Sequence, residues 1–100
     1  MWLAIDDIRT FDSPDVVVTR SFKASIKALE TKEWEGLYLD HDLGQLSNGA
    51  DILKRAIRND CLPNIVVFIT QNPVGLKNMQ NIIEDYGYKG DFNKRVYKGL

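Results

Sequence analysis

Cysteine, proline and histidine are scarce in these 100 residues, at one, three and one respectively. A lone cysteine, Cys61, excludes a framework of internal disulfides and is what a protein of the reducing cytoplasm is expected to have. No hydrophobic run approaches the ~20 apolar residues that a membrane-spanning helix needs. The opening Met1-Trp2-Leu3-Ala4-Ile5-Asp6-Asp7 has no basic stretch and breaks into aspartates at once, so it reads as neither a signal peptide nor a membrane anchor. An excess of positive charge is also missing: 13 Lys and Arg stand against 14 Asp and Glu. That balance argues against long nucleic acid as a partner. There is no internal repeat, linker or low-complexity tract. A chain this short buries one core, so a single domain spanning 1–100 is expected.

What is present is sufficient to fold: 44% apolar and 27% charged residues exclude a disordered chain. Charge is unevenly spread. Residues 1–50 hold five Lys/Arg against nine Asp/Glu, whereas residues 51–100 hold eight against five. Many of the acids of the first half fall in two tight clusters, Asp6-Asp7 and Asp40-His41-Asp42.

Apolar periodicity predicts the elements. Trp2 to Ile5 and Leu37 to Leu39 are short buried strands, each ended by acids. Four β-branched residues, Val16 to Thr19, make another, and Ile65 to Ile69 is the clearest of all. A last strand covers Arg95 to Tyr97. Ser21 caps a helix running to about Glu33, with Phe22, Ile26 and Leu29 on one face. Gly44, Asn48 and Gly49 predict a loop, followed by a helix through Ile52, Leu53, Ala56 and Ile57 that stops before Pro63. Leu76, Met79, Ile82, Ile83 and Tyr86 form the stripe of a third helix, terminated by Gly87. Asn72 with Pro73 behind it is a helix start. The order β-β-α-β-α-β-α-β predicts an α/β domain whose five-stranded parallel sheet is covered on both faces. The link between the first two strands is too short for a helical crossover, so a loop is expected there.

In such sheets ligands bind beyond the carboxyl ends of the strands. Those ends carry Asp6, Asp7 and Arg9 after the first strand, Asp40, His41 and Asp42 after the third, and Thr70 and Asn72 after the fourth. Four carboxylates on one edge repel one another unless a cation sits among them, and an oxygen-seeking divalent ion such as Mg²⁺ suits them. Arg9 offers a fork for phosphate oxygens and Thr70 a hydroxyl, while His41 is the general acid or base at neutral pH. The same residues have plainer readings. Aspartate is a favoured turn residue, Arg9 can neutralise its neighbours, and Asn72 can serve only as a helix cap.

Three motifs, Asp6-Asp7-Ile8-Arg9, Asp40-His41-Asp42-Leu43-Gly44 and Thr70-Gln71-Asn72-Pro73-Val74-Gly75, stand in this order. Together they resemble the cyclic-phosphate-processing receiver-like domains, an offshoot of the receiver fold of two-component signalling. The resemblance implies a three-layer receiver-like (flavodoxin-like) fold and a metal-assisted acidic pocket. By that likeness Asp6, Asp7 and Asp40 hold Mg²⁺ or Mn²⁺, Arg9, Thr70 and Asn72 grip phosphate, and His41 with Asp40 and Asp42 carries the chemistry. Ile69 stands where members of the family are expected to carry a histidine. The implied activity is hydrolysis of a small cyclic phosphate on a nucleotide or ADP-ribose derivative. Two other readings fit the same residues: a module that sequesters a cyclic nucleotide or phosphorylated ligand without chemistry, and a degenerate signalling receiver phosphorylated on Asp40. For the last, Lys98 is the lysine available to match the one that ends a receiver's last strand.

Overall fold

A computed structural model describes residues 1–43 and 48–99; Gly44, which belongs to the second motif and to the predicted loop, lies outside them. The elements are β1 (Trp2–Ile5), β2 (Val16–Thr19), α1 (Phe22–Thr31), β3 (Gly36–Leu39), α2 (Gly49–Arg58), β4 (Ile65–Phe68), α3 (Pro73–Asp85), β5 (Lys89–Gly90) and β6 (Val96–Lys98). They build one sheet of order β2-β1-β3-β4-β6-β5. The sheet corrects the expected five parallel strands. β2, β1, β3 and β4 run parallel, but β6 is antiparallel to β4, and β5, a sixth strand, is antiparallel to β6. The physical reason is local. After α3, only a short stretch separates Gly87 from Val96, too little for another helical crossover, so the chain turns back on itself as a hairpin. β5 escaped prediction because its two residues, Lys89 and Gly90, carry no apolar signal.

Among the described residues, helices cover one face of the sheet rather than the expected two. α1 packs on α2 and α2 on α3, and all three share one core with the sheet. Right-handed crossovers explain this: β2 to β3, β3 to β4 and β4 onward all step the same way along the sheet, which puts every helix on the same side. Leu3, Ile5, Leu37, Leu39, Val66, Phe68 and Tyr97 face those helices, each at most 1% exposed. Only the β1 to β2 link steps backwards, and it is a loop over residues 6–15. Phe11 from that loop stacks on Tyr38, which stacks on Trp2, on the face away from the helices. Gly36 makes room for this: a Cβ there would lie 2.3 Å from the Trp2 ring.

Helix ends follow their caps. Ser21 Oγ accepts from Ala24 N. Asn48 and Asp51 form a reciprocal capping box, so Asn48 and Gly49, read as loop, instead start α2. Gly87, at φ +105°, lies just past the end of α3 in the conformation glycine adopts freely. Among the described residues no helix is long and apolar enough to cross a membrane.

Tyr97 reaches out of the core, donating its hydroxyl proton to Glu84 Oε2 on α3. That bond, helped by Lys94, holds the Glu84 carboxyl below its ordinary value of 4.5. A lowered folded-state value means the contribution is complete above about pH 4.5 and is lost as pH falls through the depressed value. Tyr97→Phe removes the cause. The variant is expected to show a weaker drop in Tm than the parent on acidification from pH 6 to pH 3, measured by thermal melting at several pH values. An identical acid response would show that the bond carries no linkage.

Candidate functional site

The four parallel strands all end at one edge of the sheet, and adjacent ends are tied by backbone hydrogen bonds. Asp40 N donates to Ile5 O at 3.0 Å and Ile69 N to Leu39 O at 3.0 Å. The loops after β1, β3 and β4 therefore meet. Asp6, Asp7 and Asp40 each offer a carboxylate oxygen within 4.8 Å of the others.

Asp6 is the anchor of this cluster. It is 2% exposed, and its Oδ1 accepts from the backbone N–H groups of Ile8 at 2.9 Å and Arg9 at 2.8 Å, which closes the turn after β1. Its Oδ2 is buried without a hydrogen-bond partner, although Arg9 Nη1 lies 3.6 Å away. A buried carboxylate oxygen left unpaired is costly, and a cation bound among the three acids would satisfy it. Three carboxylates on rigid strand ends are also the hard oxygen donors that Mg²⁺ prefers. The residues present fit a divalent metal.

Arginines hold the surrounding loops. Arg9 Nη1 donates to Ile69 O at 3.0 Å, joining the first loop to the last. Arg20, to which the sequence reading gave no site role, donates from Nη1 to Asp6 O at 3.1 Å and to Arg9 O at 3.2 Å. Arg95, also missed, donates to Phe68 O and Thr70 O at the end of β4. The signal for both was weak, because surface arginines are common and these two act through carbonyls remote along the chain.

His41 sits beside the acids. Its backbone N–H donates to Asp40 Oδ1 at 2.8 Å. Its Nδ1 lies 2.9 Å from Asp42 Oδ1, which also accepts from Asn72 Nδ2 at 3.2 Å. The hydrogen bonds from His41 and then Asn72 hold the Asp42 carboxyl below the usual carboxylate range. An ionised Asp42 only accepts, so Nδ1 carries its proton and Nε2 is left as the nitrogen with no protein partner among the described residues. Asn72 does two jobs. Its Oδ1 caps α3 by accepting from Val74 N and Gly75 N, while its amide fixes Asp42.

Gly75 is the residue that lets this happen. A Cβ there would lie 2.4 Å from His41 Cγ, so the imidazole rests directly against the first turn of α3. A glycine inside a helix turn is unfavourable by itself, and that cost was the available signal of a close approach. Gly49 plays the matching part on α2: a Cβ there would meet Asp40 O at 2.1 Å, and Gly49 N donates to His41 O.

Two sequence expectations are placed differently. Thr70 is fully buried, and its Oγ1 accepts from Asn72 N at 3.1 Å, so it steadies Asn72 rather than lining the open surface. Lys98 pairs with Ile65, at the opposite end of the sheet from the acids, because β6 runs antiparallel to β4. It does not reach the cluster.

No curated protein and no solved structure matches the chain. A family model does, over residues 1–85, which takes in all three motifs and every side chain of the acidic cluster and the His41 network. Its description is the cyclic-phosphate processing receiver domain, and the chain belongs to that family, with a receiver-like α/β fold built on a mixed sheet.

Proposed function

We propose that the protein is a metal-assisted hydrolase that opens a small cyclic phosphate, the loop over residues 6–15 standing where a receiver-like domain would have its first crossover helix. The observation that carries this reading is the buried, unpartnered Asp6 Oδ2 inside a three-carboxylate cluster, one peptide bond from an imidazole oriented by Asp42 and Asn72. Asp6, Asp7 and Asp40 would hold Mg²⁺ or Mn²⁺. Bound there, the ion would offset the charge of the carboxylates and supply Lewis acidity toward the phosphate.

The chain's own groups supply the rest. Arg9 carries positive charge at the rim, and the donors it does not spend on Ile69 O suit phosphate oxygens. Water forms the new bond to phosphorus as the ring P–O bond breaks. Protonated His41 gives its Nε2 proton to the oxygen that leaves and regains one from the proton the water gives up, while Asp42 stabilises the imidazolium from the other side. Asn72 and Gly75 keep the ring in that orientation. Phosphorylation of Asp40 in a signalling relay draws less support, because Lys98 lies at the far end of β4.

The test is product analysis. Purified protein with Mg²⁺ is incubated with a panel of cyclic phosphates, and ligand is recovered after denaturation. An opened phosphomonoester that disappears with EDTA, and falls by about a hundredfold or more in His41→Ala, is the expected result. Tight binding with the ligand recovered intact would replace catalysis by sequestration. Full activity in His41→Ala would remove the proposed role of the imidazole.

A further inference from the structure

An open groove of about 740 Å³ starts at Arg9 and runs down the helix-free face of the sheet, between β4 and the β5–β6 turn. That volume falls within the range of small-molecule sites. Its floor is aliphatic: Val67 and Val96 pair directly across β4 and β6, and Ile69 continues the row toward the acids. Its far wall is the turn carrying Asp91 and Asn93. An aliphatic floor of this kind suits the apolar part of an organic ligand.

The telling residue is Arg95. Its Nη1 is committed to Phe68 O at 3.3 Å and Thr70 O at 3.0 Å, which locks the guanidinium in place at the groove wall. It is only partly exposed, and among the described residues no carboxylate lies within ion-pairing distance of it. Asp91, the nearest acid in sequence, spends its Oδ1 on the backbone N–H groups of Arg95 and Val96. A rigid, half-buried guanidinium with unspent donors and no counter-ion is a receptor for an anion with several oxygens.

We infer that this groove holds the organic part of the substrate and that this part carries a second phosphate, received by Arg95. The inference rests on the proposed reading for the first phosphate, at the acids, and adds a specificity site one groove away. The continuity is physical: Arg9 both borders the groove and touches Asp6 and Ile69 O. The substrate class is then a doubly phosphorylated molecule, cyclic at one phosphate and open at the other, with an organic part that rests on the aliphatic floor.

The probes are adenosine 2′,3′-cyclic phosphate and the same nucleotide with an added 5′-phosphate. Binding to the full chain is measured by calorimetry with Mg²⁺, and ring opening is followed in parallel. The 5′-phosphorylated probe is expected to bind about tenfold more tightly or better, the scale of charge-assisted hydrogen bonds. Arg95→Gln erases that preference, read as the ratio of the two affinities so that any loss of bracing common to both probes cancels. Because Arg95 also braces β4, a second pair of variants is used at exposed Asn93. Asn93→Asp narrows the preference and Asn93→Lys widens it, each by about two- to fivefold.

Equal affinity for the two probes, no binding of either, or Asn93 variants that fail to move in opposite directions would each overturn the inference. The two readings fail separately. A binding preference without ring opening keeps the groove assignment and removes the hydrolase, whereas ring opening of both probes without preference does the reverse.

Discussion

Asp40→Asn is expected to lose metal-dependent stabilisation and turnover together while the metal-free protein melts no lower than its parent. The substitution keeps an oxygen to accept from His41 N, so the local turn survives. It removes one of three carboxylates that lie within 4.8 Å of one another, which relieves repulsion when no cation is bound. In the parent, Mg²⁺ at a hundredfold excess over its Kd contributes about 2.7 kcal/mol, which raises Tm by about 10 °C or more in a domain this small. The variant shows little of that shift. Turnover falls by about a thousandfold, since a Lewis acid supplies several kcal/mol to the transition state. Melting curves with Mg²⁺ and with EDTA read the first effect and product formation the second. A variant that keeps the full Mg²⁺ shift would take Asp40 out of the metal set.

Gly75→Ala is expected to be harmful where the same change is usually helpful. In a helix interior, alanine is favoured over glycine by about 1 kcal/mol. Here the added methyl would lie 2.4 Å from Cγ and 2.5 Å from Nδ1 of His41, so the ring must leave its place. Overpacking of this kind costs about 1–3 kcal/mol, which cancels or exceeds the helical gain, and Tm stays level or drops. The displaced ring no longer meets Asp42, and turnover falls by about a hundredfold, the lower end of what an oriented general acid contributes. A double-mutant cycle isolates the cause. Gly75→Ala should cost activity in the parent and almost none in a His41→Ala background. Additive losses would mean that Gly75 acts on some other part of the site.

The legible parts of this molecule are those whose signal is local. Asn72 ahead of Pro73 reads as a helix start because a side-chain acceptor and a residue lacking an N–H are what a first turn needs, and the structure places the cap there. Gly87 reads as a helix stop for an equally local reason, and Ile65 to Phe68 is a strand because four apolar residues between turn signals leave little else. The meeting of Asp6, Asp7 and Asp40 was also readable, since parallel strands end on one edge, Asp6 and Asp40 directly follow strands, and Asp7 stands next to Asp6. Gly75 stood in a motif, but nothing in the chain says that the ring it admits comes from residue 41. Arg20 and Arg95 were invisible for a similar reason: their partners are carbonyl oxygens, which every residue has.

Amino-acid order alone determined the three helices, five of the six strands, the caps at Ser21 and Asn72, the family likeness and the set of acids that follow strands, because each depends on neighbours within a few residues. Tertiary structure decided the rest. Crossover handedness gathered all three helices on one side and left the other face to Trp2, Phe11 and Tyr38. The reversal of β6 carried Lys98 away from the acids and brought Arg95 to the end of β4. Direction of travel through a sheet is set by how whole layers pack, and no short stretch of side chains encodes it.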